Sequence, residues 1–214
     1  MAVLPAAWVS AADTTTKGQR ESILLVAADH MLDPTFARTV VFVMFPTDAG
    51  PSGVILNRPS PIKLRDIWPA DQTRQGRTDT LYFGGPVEPD GLLFLFRMAI
   101  PPLRAWWAID DIYFSGDGEL LEALLEESEP VPSQRFFAGY AGWAPGQLEN
   151  EIGRGDWHVL PADPDVVFDN ELDTLWLRMY QRATLPRAQV SPLQPGFALG
   201  LFVSRQNRLF PFYF

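Results

Sequence analysis

The sequence predicts an α+β fold. Two observations carry this prediction: short apolar runs typical of strands follow one another along most of the chain, and only two segments show a convincing helical repeat. Because strands that arrive in runs, rather than alternating with helices, are typical of α+β domains, the order argues against a doubly wound sheet. The 214-residue chain, with 47% apolar residues, is long enough for one domain with a substantial core.

The strand predictions rest on runs of apolar, β-branched and aromatic residues. The strongest is Thr39–Phe45, which reads TVVFVMF. Leu81–Phe83 and Leu92–Phe96 look like a pair of strands on either side of a Gly-Gly-Pro sequence. Pro59 is expected to end strand pairing after Val54–Leu56, since proline has no N–H to donate. Further strands are predicted at Ile23–Ala28, Trp106–Ile109, Tyr113–Phe114, Phe136–Tyr140 and Trp157–Leu160.

Two segments show the apolar repeat of an amphipathic helix. Asp117–Glu127 places four leucines on one face, and its first residue is a suitable N-cap. Asn170–Ala183 carries apolar residues at the i, i+3, i+4, i+7 and i+8 positions. Shorter helices are predicted at Ile62–Trp68 and Gly146–Ile152.

The predicted domain covers residues 22–183 and is flanked by two segments of different composition. Residues 1–21 form a leader that begins almost free of polar side chains but lacks the positively charged region of a signal peptide. It is either a signal-like segment clipped at an internal methionine or a mildly apolar disordered stretch. The C-terminal extension, residues 184–214, has three arginines and no acidic residue. We interpret it as a hairpin of Phe197–Val203 and Leu209–Phe214 packed on the domain, with a peripheral membrane or partner contact as the alternative.

Composition narrows the classes of function. The net charge of −9 disfavours direct DNA binding, which depends on lysines and arginines that neutralise phosphates. The absence of cysteine excludes disulfides, thiolate catalysis and cysteine-ligated metal centres. Neither histidine, His30 nor His158, lies in a catalytic or metal-binding motif, so both are predicted to be structural or exposed. We therefore predict no catalytic set, no metal and no cofactor.

Two short motifs could bind an anion. Arg58 precedes a proline, and an arginine on a rigid turn is a good fork for carboxylate or phosphate. The competing interpretation is an internal salt bridge to Glu149 or Asp33. Gly84 and Gly85 could present backbone N–H groups to an anion. The favoured interpretation is that they form a tight turn that requires positive φ.

The segment from Gly139 to Ile152 is the richest in unusual residues. Tyr140 and Trp143 supply aromatic area, and the predicted helix holds Gln147 and Glu149 in its first turn. A carboxylate at that position is stabilised by the helix dipole, so Glu149 is either a structural cap or a functional group. Glu149 and Glu151 are two residues apart and do not share a helix face, which argues against a site built from that pair alone.

The chain contains four distinctive segments: LDPTFARTVV at 32–41, GVILNRP at 53–59, FGGPV at 83–87 and GYAGWAPGQLENEI at 139–152. In their order and spacing they resemble the YqgE/AlgH-like family of bacterial proteins. The resemblance implies a mainly antiparallel, bifurcated sheet curled into a pseudo-barrel with a few packed helices. It also implies a cytoplasmic protein, unless the true start lies upstream and the protein is exported to the periplasm. The family has been linked to transcriptional regulation and exopolysaccharide production, and it brings no established catalytic residue.

The leading hypothesis is a binding or regulatory module rather than an enzyme. Its motif residues are expected to line one surface that grips a protein partner or a small anion. The alternative is a hydrolase of a small anionic substrate, with Glu149 or Asp33 as general base and Arg58 as an electrostatic clamp. The predicted surface comprises Asp33, Arg38, Asn57, Arg58, Gly84, Gly85, Tyr140, Trp143, Gln147 and Glu149.

Overall fold

The computed structural model describes residues 21–46, 50–67, 78–126 and 133–185. The leader up to residue 20 and the C-terminal extension from residue 186, including its predicted hairpin, lie outside the described residues. The described strands are β1 (Ile23–Ala27), β2 (Val40–Met44), β3 (Ser52–Ile55), β4 (Pro59–Lys63), β5 (Thr80–Phe83), β6 (Val87–Arg97), β7 (Trp106–Ile109), β8 (Ile112–Ser115), β9 (Gln134–Gly142) and β10 (Trp157–Pro161). The described helices are α1 (Leu64–Ile67), α2 (Gly118–Glu126), α3 (Gln147–Gly153), α4 (Pro164–Val167) and α5 (Leu172–Thr184).

One strand divides the sheet into two branches. The main path runs β10-β1-β2-β3-β9-β6-β8-β7, and every neighbouring pair along it is antiparallel. Along one side of β9, its last residues pair with β3, whereas Phe136–Ala138 pair in parallel with β5. Strand β4 then pairs with β5. The structure confirms the predicted α+β fold and the bifurcated, mainly antiparallel sheet that the family resemblance implies.

The sheet curls until its two ends approach each other. Ser22, at the start of β1, donates its hydroxyl hydrogen to the carbonyl of Ala108 in β7, at 2.8 Å. Apolar side chains from both ends of the sheet meet in one buried cluster, which α4 and α5 complete through residues such as Val167 and Leu175. This cluster is the interior of the pseudo-barrel.

Two further clusters cover the outer faces of the curled sheet. One packs α3, through Leu148, and the turn at Met31–Phe36 against β1, β2 and β3. The other packs α1 and α2 against β5, β6, β8 and β9, with Leu121 and Leu124 facing inward. The first of these layers contains four of the predicted surface residues, Asp33, Trp143, Gln147 and Glu149, and it positions that part of the candidate site.

The prediction that Leu81–Phe83 pairs with Leu92–Phe96 is wrong, because β9 lies between β5 and β6 and pairs with both. The pairing of β3 stops before Pro59, as predicted, but a new strand begins at Pro59 itself. Pro59 begins β4, whose only strand partner among the described residues is β5. An edge strand tolerates proline because one side of its backbone has no ladder partner.

Both long helices are confirmed close to their predicted bounds. The N-cap of α2 is also confirmed, since Asp117 accepts a hydrogen bond from the Leu120 amide at 2.8 Å. The short helix α4 was not predicted; it begins after Asp163, whose carboxylate accepts from the Asp165 amide at 3.2 Å. None of the helices in the described ranges is long and apolar enough to cross a membrane.

Candidate functional site

The first predicted motif folds into a compact turn, which we call the arginine turn (residues 33–38). The carbonyl of Asp33 accepts hydrogen bonds from the amides of Phe36 and Ala37, at 3.0 and 2.7 Å. Its carboxylate accepts from the Thr35 amide at 2.8 Å, which fixes the start of the turn. Arg38 ends the turn in the left-handed conformation, with φ of 57°. Asp33 therefore works as a local cap of this turn.

Asn57 holds the end of the arginine turn from the neighbouring strand connection. Its side-chain amide donates to the carbonyl of Arg38 at 3.0 Å, and its amide oxygen accepts from the Val40 N–H at 3.0 Å. One side chain thereby satisfies backbone groups on both sides of Thr39. The role of Asn57 in this arrangement is to stabilise an unfavourable backbone conformation next to β2.

Arg58 binds the same turn from the other side. Its Nη2 donates to the carbonyls of Pro34 and Ala37, at 3.2 and 3.0 Å. The predicted salt bridge from Arg58 to Glu149 or Asp33 is wrong. The Arg58 guanidinium contacts these two backbone carbonyls instead of a carboxylate. These carbonyls lie at the end of a helical turn, where they lack an intrahelical donor and attract a cation.

Arg38 directs its exposed side chain over the ring of Trp176 in α5, 5.5 Å from the ring centroid. Trp176 is itself fixed, because its indole N–H donates to the carbonyl of Ala27 at 2.8 Å. A guanidinium stacked on an immobile ring keeps its plane and its outward N–H groups in a defined orientation. The arginine turn thus carries one cation, Arg38, and is contacted by a second, Arg58.

The two glycines at the β5–β6 crossover allow backbone segments to touch. A Cβ on Gly84 would lie 2.1 Å from the carbonyl oxygen of Gly139, and one on Gly85 would lie 2.2 Å from the carbonyl carbon of Tyr140. Close approach excludes side chains at both positions, and Gly85 also has the predicted positive φ, of 158°. The Gly84 N–H donates to Ala138 at 2.8 Å, so it does not contribute to an anion nest.

Glu151, which is not among the predicted surface residues, stands at the centre of a polar cluster beside α3. Glu151 accepts from the indole N–H groups of Trp143 and Trp157, both at 2.9 Å, and from the amide of Gln147 at 2.9 Å. Gln147 in turn accepts from the Ala144 N–H at 3.1 Å. We call Trp143, Gln147, Glu151 and Trp157 the indole cluster. It ties α3 to the strands on either side.

The indole cluster adjoins the arginine turn. The ring of Phe36 meets that of Trp157 edge-on, with centroids 5.6 Å apart. The predicted surface residues therefore fall into three neighbouring groups. Asp33, Arg38, Asn57 and Arg58 build the arginine turn; Gly84, Gly85 and half-buried Tyr140 form the crossover; Trp143, Gln147 and exposed Glu149 belong to α3 and its approach.

A second charged network, also missed by the sequence analysis, lies at the start of β9. Arg135 is 4% exposed; it donates to the carbonyl of Asp169 at 2.8 Å and stacks 4.7 Å from the ring centroid of Tyr82. Burial lowers the pKa of Arg135 despite the opposing effects of Tyr82 and Asp169. Burial alone would raise the pKa of Asp169, but hydrogen bonds from Arg178 and the Glu171 amide hold it below its usual range.

Two comparisons identify relatives by sequence. The AlgH-like family model matches residues 24–187. A UPF0301 protein from Mycobacteroides abscessus is 36% identical over 174 residues, covering 78% of this chain and 81% of that protein. A UPF0301 protein from Nocardia farcinica is 38% identical over 178 residues, covering 78% of this chain and 79% of its own length.

Solved structures show the same fold. The AlgH protein from Pseudomonas aeruginosa superimposes with a TM-score of 0.64 at 26% identity, covering 87% of this chain and all of its own. A protein from Corynebacterium diphtheriae gives a TM-score of 0.64 at 28% identity, covering 82% of this chain and 92% of its own. With a family model that spans most of the chain, and relatives above 30% identity over most of their length, the chain belongs to the AlgH-like family.

Proposed function

We propose that this protein is a non-enzymatic binding module whose arginine turn holds an anion, either a small free anion or an acidic group carried by a protein partner. The observation that supports the proposal concerns the charge partners of Arg38 and Arg58. Within the described residues, neither guanidinium has a carboxylate within 4.0 Å. Arg38 ends the arginine turn and Arg58 donates to two of its carbonyls, in a protein with a net charge of −9.

The contrast with the other arginines gives this observation its weight. Each of the remaining exposed or half-exposed arginines in the described ranges faces an acidic side chain within 4.0 Å. They are Arg65, Arg97, Arg104, Arg154, Arg178 and Arg182. An acidic chain pairs its surface cations readily, so two cations at the arginine turn without such partners are an exception.

The geometry suits a planar or tetrahedral oxyanion. Arg58 uses only Nη2 for the turn, and its Nη1 and Nε have no hydrogen-bond acceptor among the described residues. Arg38 is oriented by Trp176. Guanidinium groups fixed in this way bind carboxylate or phosphate through paired N–H donors and lose little conformational entropy on binding.

The hydrolase alternative gains no support from the same contacts. Arg58 turns its Nη2 towards Pro34 and Ala37, and the carboxylate that enters a polar cluster is Glu151, which accepts three hydrogen bonds from the indole cluster. A regulatory role in gene expression or exopolysaccharide production, and a cytoplasmic location, are proposed from the family resemblance alone. The negative net charge continues to disfavour direct DNA binding.

The test is a titration of the full chain with inorganic phosphate and with pyrophosphate. Binding is monitored through the NMR chemical shifts of the backbone amides of residues 33–40. We compare the wild type with Arg38→Gln, which retains a long polar side chain without the charge. Arg154→Gln is the matched control, since Arg154 is exposed and paired with Asp156. Loss of one charge-assisted contact should weaken binding by about 10-fold or more in Arg38→Gln only.

A protein partner that carries the acidic group is tested by affinity capture with the same three proteins. A partner retained by the wild type and by Arg154→Gln, but lost with Arg38→Gln, supports the proposal. If neither anion shifts the turn amides and no captured partner distinguishes Arg38→Gln from the control, the arginine turn is not a binding site.

A further inference from the structure

Strand β10 is one edge of the sheet, and its register with β1 shows which backbone groups face outward. The N–H of Ala28 donates to the carbonyl of Asp156 at 2.9 Å, immediately before β10. In an antiparallel ladder, hydrogen-bonded pairs alternate with pairs that point away from each other. Residues Trp157, Val159 and Pro161 therefore direct their backbone groups away from β1, and the first two offer both a donor and an acceptor.

These outward groups have no partner in the part of the chain that the structure describes. β10 pairs only with β1 there, and no other hydrogen bond reaches the backbone of Trp157 or Val159. The Val159 side chain is also 44% exposed. Other edges are protected: β4 carries two prolines, and β7 is approached by Ser22. An apolar edge with unpaired N–H and C=O groups is a template for another strand.

Helix α5 delivers the chain to this edge. The ring of Tyr180 lies 5.3 Å from that of His158 in the middle part of β10, and Arg182 donates to the carboxylate of Asp163, beyond the end of the strand, at 2.7 Å. The helix therefore runs in the same direction as β10. Arg182, near the end of α5, thus lies close to the C-terminal end of β10, where an antiparallel neighbour of that strand would begin.

The sequence that follows has the length and composition of such a neighbour. Phe197–Val203 reads FALGLFV, with no proline or charge, and its alternate positions carry large apolar side chains. The eleven residues before it can span about 36 Å when extended, more than the roughly 17 Å of a five-residue strand. The segment after residue 185 contains three arginines and no acidic residue, opposite in sign to the net charge of −9 of the whole chain.

We propose that Phe197–Val203 adds to the edge of β10 as an antiparallel strand of the same chain. The added strand would pair with the outward N–H and C=O groups of Trp157 and Val159 and cover the exposed side chain of Val159. The sheet would then gain an eleventh strand, and the extension would be a part of the fold that seals its most vulnerable edge. This inference is independent of the anion-binding proposal, because it involves neither Arg38 nor Arg58.

Backbone amide hydrogen exchange on the full chain tests the proposal. Gly200→Pro places a proline in the middle of the added strand and removes a donor there. Gln206→Pro, outside that strand, is the matched control. We expect the Val159 amide to exchange at least ~10-fold faster in Gly200→Pro than in the wild type or in Gln206→Pro. The Leu160 amide, which faces β1, should exchange at one rate in all three proteins.

The same experiment separates the chain's own extension from a second copy of the protein. Protection of Val159 by an intramolecular strand does not change with protein concentration, whereas protection by a second molecule falls on dilution. Equal exchange of Val159 in the wild type and in Gly200→Pro, or protection that disappears on dilution, overturns the proposal.

Discussion

The side-chain amide of Asn57 holds the carbonyl of Arg38 at 3.0 Å, at a position where Arg38 has a φ of 57°. The same side chain accepts from the Val40 amide at 3.0 Å, so one residue holds both the carbonyl of Arg38 and the amide two residues later. Left-handed backbone is costly for a residue with a side chain and persists only where its surroundings enforce it. The orientation of Arg38 over Trp176 therefore depends on Asn57.

Replacement of Asn57 by aspartate should separate its two hydrogen bonds. The carboxylate still accepts from Val40 but cannot donate to Arg38, and it places negative charge against a carbonyl. We expect Asn57→Asp to lower the free energy of unfolding by about 1–3 kcal/mol, as for other unsatisfied or repelled polar groups. Urea denaturation provides the measurement. Asn150→Asp, on the exposed side of α3, should change stability by less than about 0.5 kcal/mol; equal losses in the two variants would contradict the role assigned to Asn57.

The indole cluster makes a second prediction, which distinguishes two glutamates on one helix. In Glu151→Gln one acceptor oxygen becomes an NH₂ group that faces N–H donors, so at least one hydrogen bond is lost. The variant should lose about 1–3 kcal/mol of stability, with a change in tryptophan fluorescence of the native state. Glu149→Gln, at an exposed position on the same helix, should lose about 1 kcal/mol or less, because the contacts of an exposed carboxylate contribute little to stability. A Glu149→Gln variant as unstable as Glu151→Gln would refute this assignment.

The sequence could identify α3 but not which glutamate faces the polar cluster. At about 100° per residue, Leu148 and Ile152 mark the buried face of the helix, and Glu149 and Glu151 flank that face on opposite sides. Helical periodicity gives the two glutamates equivalent positions. Only the tertiary arrangement of Trp143 and Trp157 decides between them, and a single sequence does not contain that information.

The same distinction explains which elements of the fold were predictable. Helix α2 follows from local signals, a leucine repeat and the N-cap Asp117, and both were read correctly. The pairing of β9 with β5 and β6 is non-local, since a run of apolar residues specifies a strand but not its neighbours. The glycines between β5 and β6 are visible in the sequence. What requires a glycine there is close contact with the backbone at Gly139, and this contact depends on the pairing of β9 with β5 and β6.

The crossover glycines lead to a prediction with a strong contrast. Gly84→Ala would place a methyl group 2.1 Å from the carbonyl oxygen of Gly139, which is backbone and cannot move aside cheaply. We expect a loss above about 4 kcal/mol or failure to fold, in the range of severe steric defects. Gly118→Ala is the control, because nothing lies within 4 Å of a Cβ at that position in α2. It should stabilise the protein by about 0.5–1 kcal/mol. Thermal unfolding measures both effects. Similar unfolding temperatures for Gly84→Ala and Gly118→Ala would show that the backbone at the crossover can move to accommodate a side chain.

The Arg135–Asp169–Arg178 network predicts how stability responds to acid. The folded-state pKa of Asp169 lies below its unfolded value, so its contribution is complete above the unfolded pKa of about 4 and is lost as the pH falls through the folded pKa. Asp169→Asn should remove about 1–3 kcal/mol of stability at pH 7, since Arg178 loses its partner. The difference from the wild type should shrink between about pH 4 and pH 2, as the wild-type carboxylate is protonated. Denaturant unfolding at each pH gives the measurement, with Asp165→Asn, at an exposed residue of α4, as control. A wild-type advantage that stays constant down to pH 2 would mean that the charge of Asp169 is not what stabilises this end of the sheet.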